Sequence, residues 1–164
     1  MNTLTTTTQT LDDALNRALV SADISKGFEQ YFELFDRYYA DDVEVWNSSE
    51  EEPVAGKEAV YHLLSDLLVP LHVMAEVGGL SIRLRYAPVR SYIEDEHRAD
   101  WTLEIVGVRG KQMVVTWSSI RRWNSSRIAY ERHSEHRRRG ELLTGGDLHV
   151  VGHLHAPRGG SAPN

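Results

Sequence analysis

The stretches HRADWTLEIVG (97–107) and KQMVVTWSSIRRW (111–123) decide the fold. In the first, Ala99, Trp101, Leu103 and Ile105 alternate with Arg98, Asp100, Thr102 and Glu104. Successive side chains of a strand point to opposite faces, so the run has one apolar and one polar face. In the second, Met113, Val115, Trp117 and Trp123 fall on alternate positions. Gly107 to Gly110 separates the two, and a turn this short joins antiparallel neighbours. Runs at 80–87 and 89–94 extend the pattern upstream. The segment 127–135 extends it downstream, past a turn at Asn124 to Ser126.

Upstream of residue 70 the period changes. Residues 1–9 (MNTLTTTTQ) read as a flexible arm, and Thr10 is placed to cap a helix through Leu11, Leu15, Ala18 and Leu19. Asp12 and Asp13 then fall in its first turn, where negative charge is favourable. Ser25 opens a second helix that carries Phe28, Tyr31, Phe32, Phe35 and Tyr39 on one stripe. A turn at Ala40 to Asp42 leads into a short strand, Val43 to Asn47, and then an acidic loop from Ser48 to Pro53. A third helix follows Gly56, with Ala59, Val60, Leu63, Leu64, Leu67 and Leu68 apolar, and is expected to end near Pro70. Helices first and consecutive hairpins afterwards define an α+β domain: N-terminal helices packed on the concave face of one curved, cone-shaped antiparallel sheet. The expected division is one domain over 10–136 and a C-terminal extension over 137–164, disordered at its end (157–164).

Composition narrows the function. The chain has 164 residues, 41% of them hydrophobic, which suits one domain with a substantial core. A formal net charge of -6 argues against nucleic acid, whose phosphates need a concentrated basic face. No cysteine is present, so thiolate catalysis and thiolate zinc sites are excluded. His149, His153 and His155 lack helical spacing or a partner carboxylate cluster, and no metal site is expected there. Nothing resembles a signal peptide, and no apolar run approaches the roughly 20 residues that cross a bilayer. A cytoplasmic protein without membrane contact is the expectation.

The phrase Tyr39-Ala40-Asp41-Asp42-Val43, the phrase Val54-Ala55-Gly56-Lys57-Glu58-Ala59-Val60 and the strand entry Arg127-Ile128-Ala129 together resemble the nuclear transport factor 2-like fold superfamily. That superfamily includes ketosteroid isomerases, scytalone dehydratase, SnoaL-like polyketide cyclases and limonene-epoxide hydrolases. Arg98-Ala99-Asp100 is similar to the R-x-D of the epoxide-hydrolase group, and Asn47 falls where that group has a water-binding Asn. Val45 stands where the group has Tyr, and His133 where it has its last-strand Asp.

The resemblance implies a site in which Asp100 is the central acid or base, Arg98 orients it, His133 is the second proton-transfer group and Asn47 holds a water or a substrate oxygen. Trp46, Tyr31, Tyr39 and Trp117 would line the pocket for a flat, apolar ligand. The alternation by itself allows the opposite assignment. Ala99, Trp101, Leu103 and Ile105 make a clean core face, which would leave Arg98 and Asp100 in solvent. Turn formation accounts for Asp41 and Asp42 without chemistry. If the polar set faces the cavity, the apolar set has to be covered from outside, so a homodimer is expected. The function implied is a cofactor-independent acid–base enzyme acting on a small polyketide- or terpenoid-like molecule. Its reaction would be isomerisation, cyclisation, dehydration or epoxide opening. The alternative is a non-catalytic ligand-binding or protein-interaction module of the same fold.

Overall fold

The structure is a computed structural model describing residues 3–47, 51–77, 79–107 and 110–140. Three helices, α1 (Thr3–Ser21), α2 (Glu29–Tyr38) and α3 (Lys57–Val77), accompany six strands. These are β1 (Tyr39–Asn47), β2 (Val54–Ala55), β3 (Ser81–Val89), β4 (Glu96–Val106), β5 (Gln112–Asn124) and β6 (Arg127–Gly140). The strands form one curved, unclosed sheet in the order β2-β1-β6-β5-β4-β3. The α+β class holds. The sheet is antiparallel except where β1 lies parallel to β6. Parallel neighbours need a long crossover, and here α3 and four strands intervene between the two.

Curvature has visible causes. Between the pairs Thr116↔Arg137 and Ser118↔Ser134, β6 carries one residue more than β5, and Glu135 there takes a left-handed φ of 57°. An extra residue of this kind bends a strand and strengthens its twist. All three helices cover the same, concave face. Leu15 of α1, Phe35 and Tyr38 of α2 and Val60 of α3 pack with Val43, Val45, Trp123 and Ile128. Further along, Met74 of α3 packs on Ile105, Met113 and Val115.

Six boundaries differ from the expectation. The second helix starts at Glu29, after a short 3-10 turn (Ile24–Lys26) that holds Ser25, and β1 starts at Tyr39, so the turn expected at Ala40 to Asp42 is strand. The other four lie elsewhere in the chain. First, α1 begins at Thr3, so the supposed arm is helical, and Asp12 sits in mid-helix rather than in a first turn. Thr is a poor helix former on propensity, and tertiary packing overrides it: Thr8 is 1% exposed. Second, α3 runs through Pro70 to Val77. Proline costs one backbone hydrogen bond, yet the buried stripe continues past it as Leu68, Leu71 and Ala75, packed on Ile24. His72 Nδ1 adds a 2.7 Å contact to the Ile24 carbonyl oxygen. Third, 89–94 is not a strand beyond Val89 but the connection between β3 and β4. Fourth, β6 continues to Gly140, so the sheet takes in the first residues assigned to the extension. The remainder of that extension, with its histidines, lies outside the described residues.

Candidate functional site

Register fixes what can meet. Across the concave face Val45, Glu131, Arg121 and His97 are successive partners on β1, β6, β5 and β4. The next row on the same face is Asn47, His133, Ser119 and Ala99. The row between them holds Trp46, Arg132, Ile120 and Arg98 and belongs to the convex face.

This geometry corrects the placement expected for two residues. Asp100 is exposed on the convex face, where its carboxylate accepts a 2.6 Å bond from Ser118 Oγ. Arg98 does not reach it. The guanidinium is committed to Glu96, with Nε at 2.9 Å and Nη2 at 2.8 Å from Oε1. The cause is the alternation itself: Ala99, Trp101 and Ile105 are the buried set, so the alternate residues must point away. Asp100 and His133 therefore stand on opposite sides of the sheet. The premise for a dimer lapses with this placement, since Ala99, Trp101 and Ile105 are already buried within the single chain.

Trp46 shares the convex face, and Tyr31 is a packing residue: its hydroxyl donates to the Ala22 carbonyl at 3.3 Å, within the Ile24 cluster. Trp117 does lie on the concave face. Its ring is nearly parallel to Trp101 (centroids 6.0 Å apart, 9°) and to His136 (6.4 Å, 12°). The Trp117 indole N–H is buried, and among the described residues no acceptor meets it. Tyr39 faces inward as well, stacked on Phe35, with its hydroxyl donating to Glu131 Oε2.

What the structure does bring together is a buried charge network. Glu131 Oε1 accepts from Arg121 Nε at 2.9 Å and lies 3.1 Å from His133 Nε2. Arg121 extends on to α1, where Nη1 reaches Asp12 Oδ1 at 3.4 Å and donates to Asn16 Oδ1. Asp12 also accepts from Trp123 Nε1 at 3.1 Å and from Asn16 Nδ2 at 2.9 Å. The Arg121 guanidinium sits 5.6 Å from the Trp101 ring centroid, a cation–π contact. The side chains of Arg121, Asp12 and Glu131 are 4%, 7% and 5% exposed, against 31% for His133. Of these four side chains the imidazole is the one most open to solvent or a ligand.

Burial alone would raise the Glu131 carboxyl, but Arg121 foremost, with His133 and Tyr39, holds it far below the ordinary carboxylate range. Burial lowers Arg121 in turn, and Glu131, Tyr39 and Asp12 more than reverse this. Burial and then the Glu131 charge push the Tyr39 hydroxyl well above its usual value, so it stays protonated and donates. An anionic Glu131 has a chemical consequence. Its neighbour Nε2 has to carry the proton of a neutral His133, which leaves the lone pair on Nδ1.

Arg121, Glu131, Asp12 and Asn16 were not singled out by the pattern, although a signal existed. Arg121 interrupts the apolar face of β5 between Trp117 and Trp123. Asp12 and Asn16, a helical turn apart, lie beside Leu11, Leu15 and Leu19. A cation and an anion each set into an apolar face belong together in a core. Away from the network, an open groove of about 540 Å³ is lined by Asp36, Asp41, Lys57, Tyr61 and His62 among others. Its cation is already taken, with Lys57 Nζ 3.2 Å from Asp36 and 3.8 Å from Asp41.

No family sequence model and no curated protein matches the chain. Solved structures do. A protein of Jannaschia sp. CCS1 described as a SnoaL-like polyketide cyclase superposes with a TM-score of 0.59 at 11% identity, covering 96% of this chain and 97% of that one. An NTF2-like protein of unknown function from Cytophaga hutchinsonii gives 0.53 at 13% identity, covering 77% and 96%. TerC, co-crystallised with polyporic acid, gives 0.51 at 15% identity, covering 77% and 88%. The chain has the nuclear transport factor 2-like fold. Among the described residues no helix is long and apolar enough to cross a membrane.

Proposed function

We propose that this protein is a cofactor-independent acid–base enzyme acting on a small, largely apolar molecule, with His133 as the residue that moves the proton. The observation that carries the reading is the Glu131–His133 contact, in which a buried, locked carboxylate orients a partly accessible imidazole. A neutral imidazole carries one N–H donor and one lone-pair nitrogen, so the same ring can release or accept a proton. Asn47, the register partner of His133, is the neighbouring amide for a substrate oxygen or a water. The half-buried Trp117 and His136, whose rings are nearly parallel, offer aromatic surface to a flat ligand, with the buried Trp101 behind them. Structural neighbours described as polyketide cyclases, and one crystallised with polyporic acid, are in keeping with a small-molecule site. Isomerisation, ring closure and dehydration all require a positioned proton donor or acceptor in a site shielded from water.

Asp100 on the convex face favours a second reading, a binding module without chemistry. One experiment separates the two. Flat polyketide- and terpenoid-like compounds are screened by quenching of the tryptophan fluorescence, and each binder is tested for conversion. Conversion that falls about 100-fold or more in His133→Gln, with binding retained, supports the enzyme. Binders left unconverted by wild type support the module, and conversion undiminished in His133→Gln removes His133 from the mechanism.

A further inference from the structure

We propose that Asp12, on the first helix, is a positioning residue for His133 and acts through Arg121 and Glu131. The inference rests on the reading of His133 as the proton-transfer group and extends it to an element that does not touch the imidazole.

The chain of contacts is continuous. Asp12 is held from three sides, by Trp123 Nε1 at 3.1 Å, Asn16 Nδ2 at 2.9 Å and Arg121 Nη1 at 3.4 Å. Together with Asn16 it fixes the Nη1 end of the guanidinium. A guanidinium is a rigid plane, so anchoring one end sets the direction in which Nε presents its proton. That proton goes to Glu131 Oε1, the same oxygen that faces His133 Nε2 at 3.1 Å. Tyr39 occupies the other carboxylate oxygen. The carboxylate consequently has little freedom to turn, and its orientation is dictated from α1 on one side and β1 on the other. Two carboxylates share one guanidinium, so loss of Asp12 leaves the Nη1 end with the neutral Asn16 alone. The plane is then free to rotate towards Glu131, and Oε1 moves off the line to Nε2. A ligand-independent consequence follows: His133 ceases to be held as a single tautomer.

The test uses the full chain and needs no substrate. Long-range ¹H–¹⁵N correlation spectra report which ring nitrogen of each neutral histidine carries the proton. They are recorded well above the ordinary histidine pKa of about 6.5. The His133 signals are assigned by their absence from His133→Gln. Wild type is expected to show His133 solely as the Nε2–H form. Asp12→Asn keeps the size of the side chain and removes its charge. It is expected to show both tautomers in exchange, while circular dichroism and cooperative unfolding are retained. Should Asp12→Asn fail to fold, Asn16→Ala loosens the same end of the guanidinium and decides the matter by the same readout. Persistence of the pure Nε2–H form in the folded variant, with Glu131→Gln disturbing it, overturns the positioning role and leaves the Glu131–His133 dyad standing. Persistence in Glu131→Gln as well overturns the dyad itself.

Discussion

Glu131 is where the energetics of single residues concentrate. Its carboxyl is held far below the ordinary range against the opposing effect of burial, chiefly by Arg121. A carboxyl depressed in the folded state binds protons more readily in the unfolded chain, where its pKa is about 4.3. The stability it contributes is therefore present above that value and is lost as acid is added towards the folded-state pKa. Glu131→Gln removes the charge and leaves Arg121 short of one partner in the core. The expected loss near neutral pH is about 3–5 kcal/mol, the usual result of breaking a buried pair from one side. Below about pH 4 the difference between variant and wild type should shrink. Urea unfolding of both proteins from pH 7 downwards checks this, and a difference independent of pH would show that Glu131 is not ionised in the native state. At this same scale the site was only partly legible. The strand positions of His133 and Asn47 were readable, and the two are register partners on β6 and β1. Asp100 misled, because an R-x-D phrase says nothing about which face it occupies, whereas Ala99, Trp101 and Ile105 did say so.

Among the elements, α3 shows packing overruling a local signal. Pro70 would end most helices, yet α3 continues to Val77 because Leu68, Leu71 and Ala75 keep the spacing of a buried stripe. The helix was legible up to the proline and unreadable past it, since the signal that rescues it lies in Ile24, far away in sequence. The same is true of α1, whose threonine-rich start is a weak helix former and whose partner surface is the sheet. Pro70→Ala restores one backbone donor and removes the ring's clash within a turn that is already helical. It is expected to stabilise the protein, by at most about 3 kcal/mol, because alanine lacks the proline penalty while the unfolded chain gains some freedom. Thermal unfolding checks it, and a lowered Tm would mean that the proline ring itself contributes to the packing of α3. The strands were the most legible elements, since their alternation is local. The parallel β1–β6 pair was not, because pairing direction depends on how distant segments meet.

Across the whole molecule, the network joins the first helix to the last strand. Asp12 and Glu131 are far apart in the chain, and each is bound to Arg121. Their energies should therefore be coupled even without direct contact. If either carboxylate is neutralised, the guanidinium keeps one anion and its burial is still partly compensated. If both are neutralised, a buried cation is left without any counter-charge, which is the costly situation in a low-dielectric interior. The double variant Asp12→Asn/Glu131→Gln should hence be less stable than the sum of the single losses by about 0.5–3 kcal/mol, the range found for groups that share a partner. Asp100→Asn serves as the control. Its carboxylate is exposed on the opposite face, so its effect should add to that of Glu131→Gln within about 0.5 kcal/mol. Urea unfolding of wild type, the three single variants and the two doubles completes both cycles. Strict additivity between Asp12 and Glu131 would mean that the guanidinium relaxes to solvent when either anion is lost. The first helix would then be merely packed on the sheet rather than electrostatically tied to the histidine strand.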